Sequence, residues 1–389
     1  MSSRATTAGF LPVKSVCVPG DGHCDEPVIA LRFRLSHDID GCMTSDQTNA
    51  NTYSLSQQLQ WGLRFMRISS YRGLSTISVL TLLALSAYGQ APPLAPAGPD
   101  TPGTGRYPAM KEEDASLPAH VVYRPHDLAA MGMQKLGVVA WGNGGCSDDA
   151  ASTRFPLLEI ASHGYLVIAS GKILSGPGAP PRPAPAAPAA GLQQGAPSAG
   201  QPLQLPPPKT STGQLIEAID WAVKENSRTG SPYQGRIDPK QIAVSGFSCG
   251  GVQAIAASKD PRVATAVFQN TGLFNAGTSP MPGMDVSKEA LKDIHTPVIY
   301  ILGGSKDIAY NNGMDDFQKI SHVPIMVANI ETGHGGTYFQ PNGGPVAQVA
   351  VNWLQWQLRG DTKAKAMFVG KDCGLCKDPQ WKLEKKQIP

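Results

Sequence analysis

The chain has 389 residues, enough for one large domain or two ordinary ones, and its 41% hydrophobic content suffices for a sizeable core. A formal net charge of +3, with no basic block interleaved with aromatics, argues against nucleic acid or an anionic membrane surface as a partner. The 42 glycines and 34 prolines are no fibrous repeat, because the prolines gather where linkers and insertions are expected.

Residues 1–65 show no clear periodicity and carry Cys17, Cys24 and Cys42 with no evident role. From Met66 a short basic segment (Arg67, Arg72) leads into an apolar run from Leu74 to Ala87, then small residues to Ala91. That is the layout of a secretory signal peptide over 66–91, too short an apolar run for a permanent bilayer span. The expectation is a start at Met66, export to the periplasm or medium, and no stable membrane insertion after cleavage. Residues 1–65 are then an upstream extension outside the fold. Residues 92–109, rich in Pro, Gly and Ala, read as a flexible linker.

From 110 to 370 short apolar strands alternate with helices. Strands are expected at His120–Tyr123, Leu136–Trp141, Tyr165–Ala169, Gln241–Val244, Val263–Phe268, Val298–Leu302 and Ile325–Ile330. Helices are expected around Leu215–Val223, Val252–Ala257 and Val346–Leu358, the last carrying Trp353 and Trp356. The pattern gives an α/β class with a mostly parallel central sheet covered by helices on both faces. Ligands bind such sheets at the carboxyl ends of the strands. A Pro/Ala/Gly/Gln-rich insertion at 174–208 leaves that end of the sheet. It is read as a tether rather than a lid, having little to bury. A tail at 371–389 carries a C-x-x-C.

Gly246-Phe247-Ser248-Cys249-Gly250 fits the G-x-S-x-G elbow between a strand and a helix, where small residues flank a serine on a sharp turn. Such folds run serine, then acid, then histidine. His334, in Gly333-His334-Gly335 directly after a strand, is the expected base. His295 and His322 precede strands, at the wrong end of the sheet. Asp307, on the loop after Val298–Leu302, is the expected acid, while Asp315 and Asp316 are placed at a helix start with a capping or solvated role. An oxyanion needs donors aimed at it. The Cys249 N–H is one candidate, and the loop Gly142-Asn143-Gly144-Gly145-Cys146 offers Asn143 first and Gly144 second, unless it is merely a glycine-rich turn.

This order of motifs resembles the α/β-hydrolase superfamily over residues 110 to 370. It looks most like secreted esterases near the dienelactone-hydrolase, cutinase and polyester-hydrolase branches. The resemblance implies a serine esterase with no metal or organic cofactor, acting on a small-molecule or polymeric ester. A peptidase or amidase using the same three residues is the alternative, and a non-catalytic binding protein on the same fold is a more distant one. In this fold Cys146 and Cys249 lie at neighbouring strand ends, so a disulfide between them is expected, against two buried thiols. Cys373 and Cys376 are expected to form a local disulfide pinning the tail. Trp141, Phe247, Phe274, Tyr310 and Tyr338 are candidates for lining a substrate pocket, or for packing in core or rim.

Overall fold

The computed structural model describes residues 98–181, 206–275, 278–279, 281–283 and 286–389. The upstream segment 1–65, the signal peptide 66–91, the start of the linker and the middle of the 174–208 insertion lie outside the described residues.

Among the described residues nine strands form one sheet in the order β1-β2-β4-β3-β5-β6-β7-β8-β9. They are β1 Ala109–Glu113, β2 His120–Pro125, β3 Leu136–Gly142, β4 Tyr165–Ser170, β5 Ile237–Phe247, β6 Thr265–Gln269, β7 Val298–Leu302, β8 Ile325–Ile330 and β9 Trp381–Lys386. Neighbours from β4 to β8 run parallel. The β1–β2, β2–β4 and β8–β9 pairs are antiparallel. Strands alternate with the helices α1 Arg154–Ser162, α2 Thr212–Ser227, α3 Cys249–Ala257, α4 Tyr310–Lys319 and α5 Gly344–Arg359, before two short turns, α6 Thr362–Lys365 and α7 Gly374–Lys377.

The period-2 alternation of side chains divides the core into two layers. Along β3, Leu136, Val138 and Ala140 face a layer shared with Leu215 and Ile219 of α2, Val252 and Ile255 of α3 and Phe317 of α4. Val139 and Trp141 face the other layer, with Leu157 and Leu158 of α1 and Val349 and Trp353 of α5. Both faces are covered, which explains why the central strands are unbroken apolar runs.

Two strands and one helix lie outside the sequence expectation. β1 (Ala-Met-Lys-Glu-Glu) and β9 (Trp-Lys-Leu-Glu-Lys-Lys) are partly exposed edge strands rich in charged residues, so they carry no apolar run to announce them. The 371–389 tail is therefore part of the sheet rather than an appendage: Trp381 pairs with Ile330 and Lys386 with Ile325. All nine residues of α1 are buried, which removes the polar face that an amphipathic signal requires.

Both expected disulfides are present. Cys146–Cys249 spans 103 residues with a Cα–Cα distance of 5.2 Å, and Cys373–Cys376 closes a local turn before β9. Among the described residues no helix is long and apolar enough to cross a membrane.

Candidate active site

β5 ends at Phe247 and α3 begins at Cys249, leaving Ser248 as a one-residue hinge with φ 55° and ψ −122°. A non-glycine residue with positive φ is strained and persists only where its surroundings hold it. Here the Ser248 N–H donates to Gln269 O at 3.0 Å. The Ser248 carbonyl accepts from Thr271 Oγ1 at 2.7 Å and from the Gly251 N–H at 2.9 Å. The turn is possible because three glycines meet beneath it. A Cβ on Gly250 would stand 2.0 Å from Gly142 C, and one on Gly246 would stand 2.3 Å from Gly250 O.

Ser248 Oγ lies 2.9 Å from His334 Nε2, and His334 Nδ1 lies 2.6 Å from Asp307 Oδ1. The three residues come from the ends of β5, β7 and β8, so the parallel sheet brings their loops to one edge. The Asp307 side chain is fully buried, whereas that of His334 is 27% exposed. Burial opposes ionisation of Asp307. The hydrogen bond from His334, the Ala309 N–H, the charge of His334 and the Gly303 N–H outweigh it and hold the carboxyl below its ordinary range.

Ser248 and His334 edge a cleft of about 290 Å3 whose apolar wall includes Val252, Phe274, Met281 and Ile308. Ile308 is 80% exposed. A larger depression of about 630 Å3 beside Arg106, His163 and Arg359 sits at the opposite ends of the strands, and none of the three residues reaches it. We take the smaller cleft as the site because it holds the serine and the histidine. Among the described residues no group of three or more His, Cys, Asp or Glu is arranged to hold a metal ion.

Several expected residues are placed differently. Asn143 is fully buried and does not face the cleft. Its Nδ2 donates to Ser147 O at 2.9 Å and Ser170 O at 2.6 Å, so its side chain ties the loop to β4. Gly144 lies under the Phe247 ring. A single 3-10 turn over Gly144–Cys146 tips the loop so that Gly145, exposed and at φ 63°, is the loop residue in the cleft wall. Cys249 lies in the same wall, at the first turn of α3.

Of the five aromatic candidates only Phe274 lines the cleft. Trp141 points into the α1/α5 layer because of its parity on β3. Phe247 packs between His334 and Tyr338, with ring centroids 5.4 and 4.3 Å away. Tyr338 is buried and donates its hydroxyl to Asn270 Oδ1. Tyr310, at the start of α4, packs against the α2/α3 layer.

Asp316 is neither a cap nor solvated. It sits in the second half of α4, fully buried, accepting from the Leu273 N–H, Lys288 Nζ and the Tyr300 hydroxyl. Burial, partly offset by Lys288 and the other donors, pushes its pKa up to about 6.

Sequence reasoning missed Gly145, Asn270, Thr271, Met281 and Ile308. Asn270-Thr271-Gly272 directly follows β6 at a strand carboxyl end, a position that could have singled it out.

A doubly covered, mostly parallel sheet with a serine elbow after β5, and an acid and a histidine after later strands, gives this protein the α/β-hydrolase fold. Residues 202–380 match the family model described as PET hydrolase-like. That segment contains Ser248, Asp307 and His334, whereas the Asn143–Cys146 loop precedes it. The matched segment is similar to a polyester-hydrolase and cutinase-like family, which supports an ester-hydrolysing enzyme. A comparison with curated proteins finds no match.

Proposed function

We propose that the protein is a secreted serine esterase that cleaves carboxylic esters through an acyl-enzyme. The observation that carries this reading is the linked geometry of Ser248, His334 and Asp307, at 2.9 and 2.6 Å. His334 Nε2 takes the Ser248 proton as Oγ attacks the ester carbonyl, and Asp307 stabilises the imidazolium that forms. The oxyanion is held by peptide N–H groups of Cys249, at the α3 N-terminus, and of Gly145 across the cleft, where helix polarity favours negative charge. His334 then protonates the departing alcohol, and water repeats the sequence on the acyl-serine. Export rests on the signal-like segment 66–91.

An apolar wall with an exposed Ile308 at its rim suits an ester presented on a polymer chain as well as a small one, in keeping with the family match. The test is labelling of Ser248 by an active-site phosphonate, with turnover of matched nitrophenyl esters, anilides and a polyester film. The expected result is stoichiometric labelling, ester turnover well above anilide turnover, and a loss of about 10⁴–10⁶-fold in kcat for Ser248→Ala. Absence of labelling would overturn the reading, and preferential anilide cleavage would replace it with an amidase.

A further inference from the structure

Resting on the esterase reading above, the geometry points to Asn270 as the positioning residue that locks the Asp307 carboxylate and the His334 loop into one arrangement. Asn270 Nδ2 donates to Asp307 Oδ2 at 2.8 Å and to the carbonyl of Gly333, the residue before His334, at 3.1 Å. Its peptide N–H donates to Ile301 O at 2.8 Å, and its neighbours Gln269 and Thr271 hold the two backbone groups of Ser248. One three-residue segment at the end of β6, Gln269 to Thr271, therefore touches the loops of all three reacting side chains.

The residue type is dictated twice over. Asn270 has φ 45°, a region that asparagine tolerates better than other residues with a side chain. The position also demands an N–H donor toward two acceptors, which glycine lacks and aspartate would replace with a repelling carboxylate. Tyr338 fixes which way the amide points: its hydroxyl donates to Asn270 Oδ1 at 2.5 Å, leaving Nδ2 for Asp307. Space is reserved for this contact, since a Cβ on Gly303 would lie 2.1 Å from Gly333 O and 2.5 Å from Asn270 Nδ2. Asp307 Oδ2 is thus committed to Asn270 and the Gly303 N–H. Oδ1 is left for His334 and the Ala309 N–H, and the carboxylate cannot rotate away.

Among the described residues the titratable side chains around Asn270 are Asp307, His334 and Tyr338, and Tyr338 stays neutral because burial and Asp307 raise its pKa. Asp316 reaches the same segment through the Leu273 N–H. It is retained in every variant below, so the pH comparison is a difference between proteins that share it.

The experiment is steady-state hydrolysis of a soluble nitrophenyl ester against pH by the full chain and by Asn270→Ala, Tyr338→Phe and the double variant. Rates of Ser248 labelling by a phosphonate are measured in parallel. Asn270→Ala is expected to lower kcat by about 10–10²-fold through misplacement of the base, with KM changing less than about threefold. The acid limb of kcat/KM, which reports the Asp307–His334 pair, moves because that pair loses both a donor and its fixed geometry. Tyr338→Phe gives a smaller loss and the same direction of shift. The double variant is no slower than Asn270→Ala, because Tyr338 acts through Asn270. A kcat within twofold of wild type, an unmoved acid limb, or losses that multiply in the double variant overturns the proposal. If Asn270→Ala does not fold, Tyr338→Phe decides by the same two readouts. A wild type that fails to label overturns the esterase reading itself. A wild type and Asn270→Ala that label equally fast overturn only the role of Asn270.

Discussion

Removing the Cys146–Cys249 bridge as the double variant Cys146→Ala/Cys249→Ala tests how far the oxyanion loop depends on a covalent tie. Between the two cysteines lie α1, β4, α2, β5 and the 174–208 insertion, a separation of 103 residues. In the chain-entropy account, opening a ring of that size removes up to about 4.7 kcal/mol. At roughly 2 °C per kcal/mol for a large domain, Tm falls by about 9 °C. Cys146 is fully buried and Cys249 nearly so, hence the lost sulfur contacts act in the same direction. The local Cys373–Cys376 bridge, with a separation of 3, is worth only about 2 kcal/mol on the same account, and so serves as an internal contrast. Calorimetric melts of both double variants give the comparison, with kcat on a soluble ester read alongside. The long-range variant is expected to melt at least twice as far below wild type as the local one. Its kcat is also expected to fall, because Gly145 and Cys249 lose their common anchor. A Tm within about 2 °C of wild type would refute the entropic argument, and unchanged kcat would refute the link to the oxyanion loop.

Asp316, whose pKa rises from 3.8 to about 6 on folding, binds a proton in the native state at pH values where the unfolded chain has released it. Its contribution to stability is therefore full below about pH 4 and declines as pH rises through 6, by about 3 kcal/mol in all. Urea melts should show Asp316→Asn gaining on wild type by that order between pH 4 and 7, and a constant difference across the range would contradict it. Gly250→Ala should abolish measurable ester turnover while leaving far-UV circular dichroism close to wild type. Its Cβ would fall 2.0 Å from Gly142 C and force the elbow and the oxyanion loop apart. Lys386 Nζ donates to the carbonyls of Phe317, Gln318 and Ile320 at the end of α4. Lys386→Met should therefore cost about 1–2 kcal/mol in urea denaturation without altering kcat.

The central strands were legible because each is apolar on both faces. The elbow was legible because a sharp strand-to-helix turn around a serine admits only small residues two positions to either side. Ser248, Asp307 and His334 were singled out by chain order and by their positions after strands. The edge strands β1 and β9 were not legible, since they are only partly covered and their charges mimic loop. Asp316 was misplaced for a related reason: an acidic pair in a helix reads as surface, and only packing reveals that Lys288 and Leu273 enclose it. Trp141 and Tyr338 were offered as pocket residues because they lie near strand ends, but side-chain parity and the Asn270 contact assign both to the interior.

By itself the sequence determined the layered α/β architecture, the serine elbow and the placing of Ser248, Asp307 and His334 after successive strands, since these depend on local periodicity and on residues adjacent in the chain. Only the tertiary structure decided which glycine of the proposed oxyanion loop faces the cleft, and that Asn270 touches Asp307 and the His334 loop at once. Those facts depend on the way a 3-10 turn tips one peptide and on side-chain amides that meet across 37 and 63 residues of chain, distances over which no local pattern carries information.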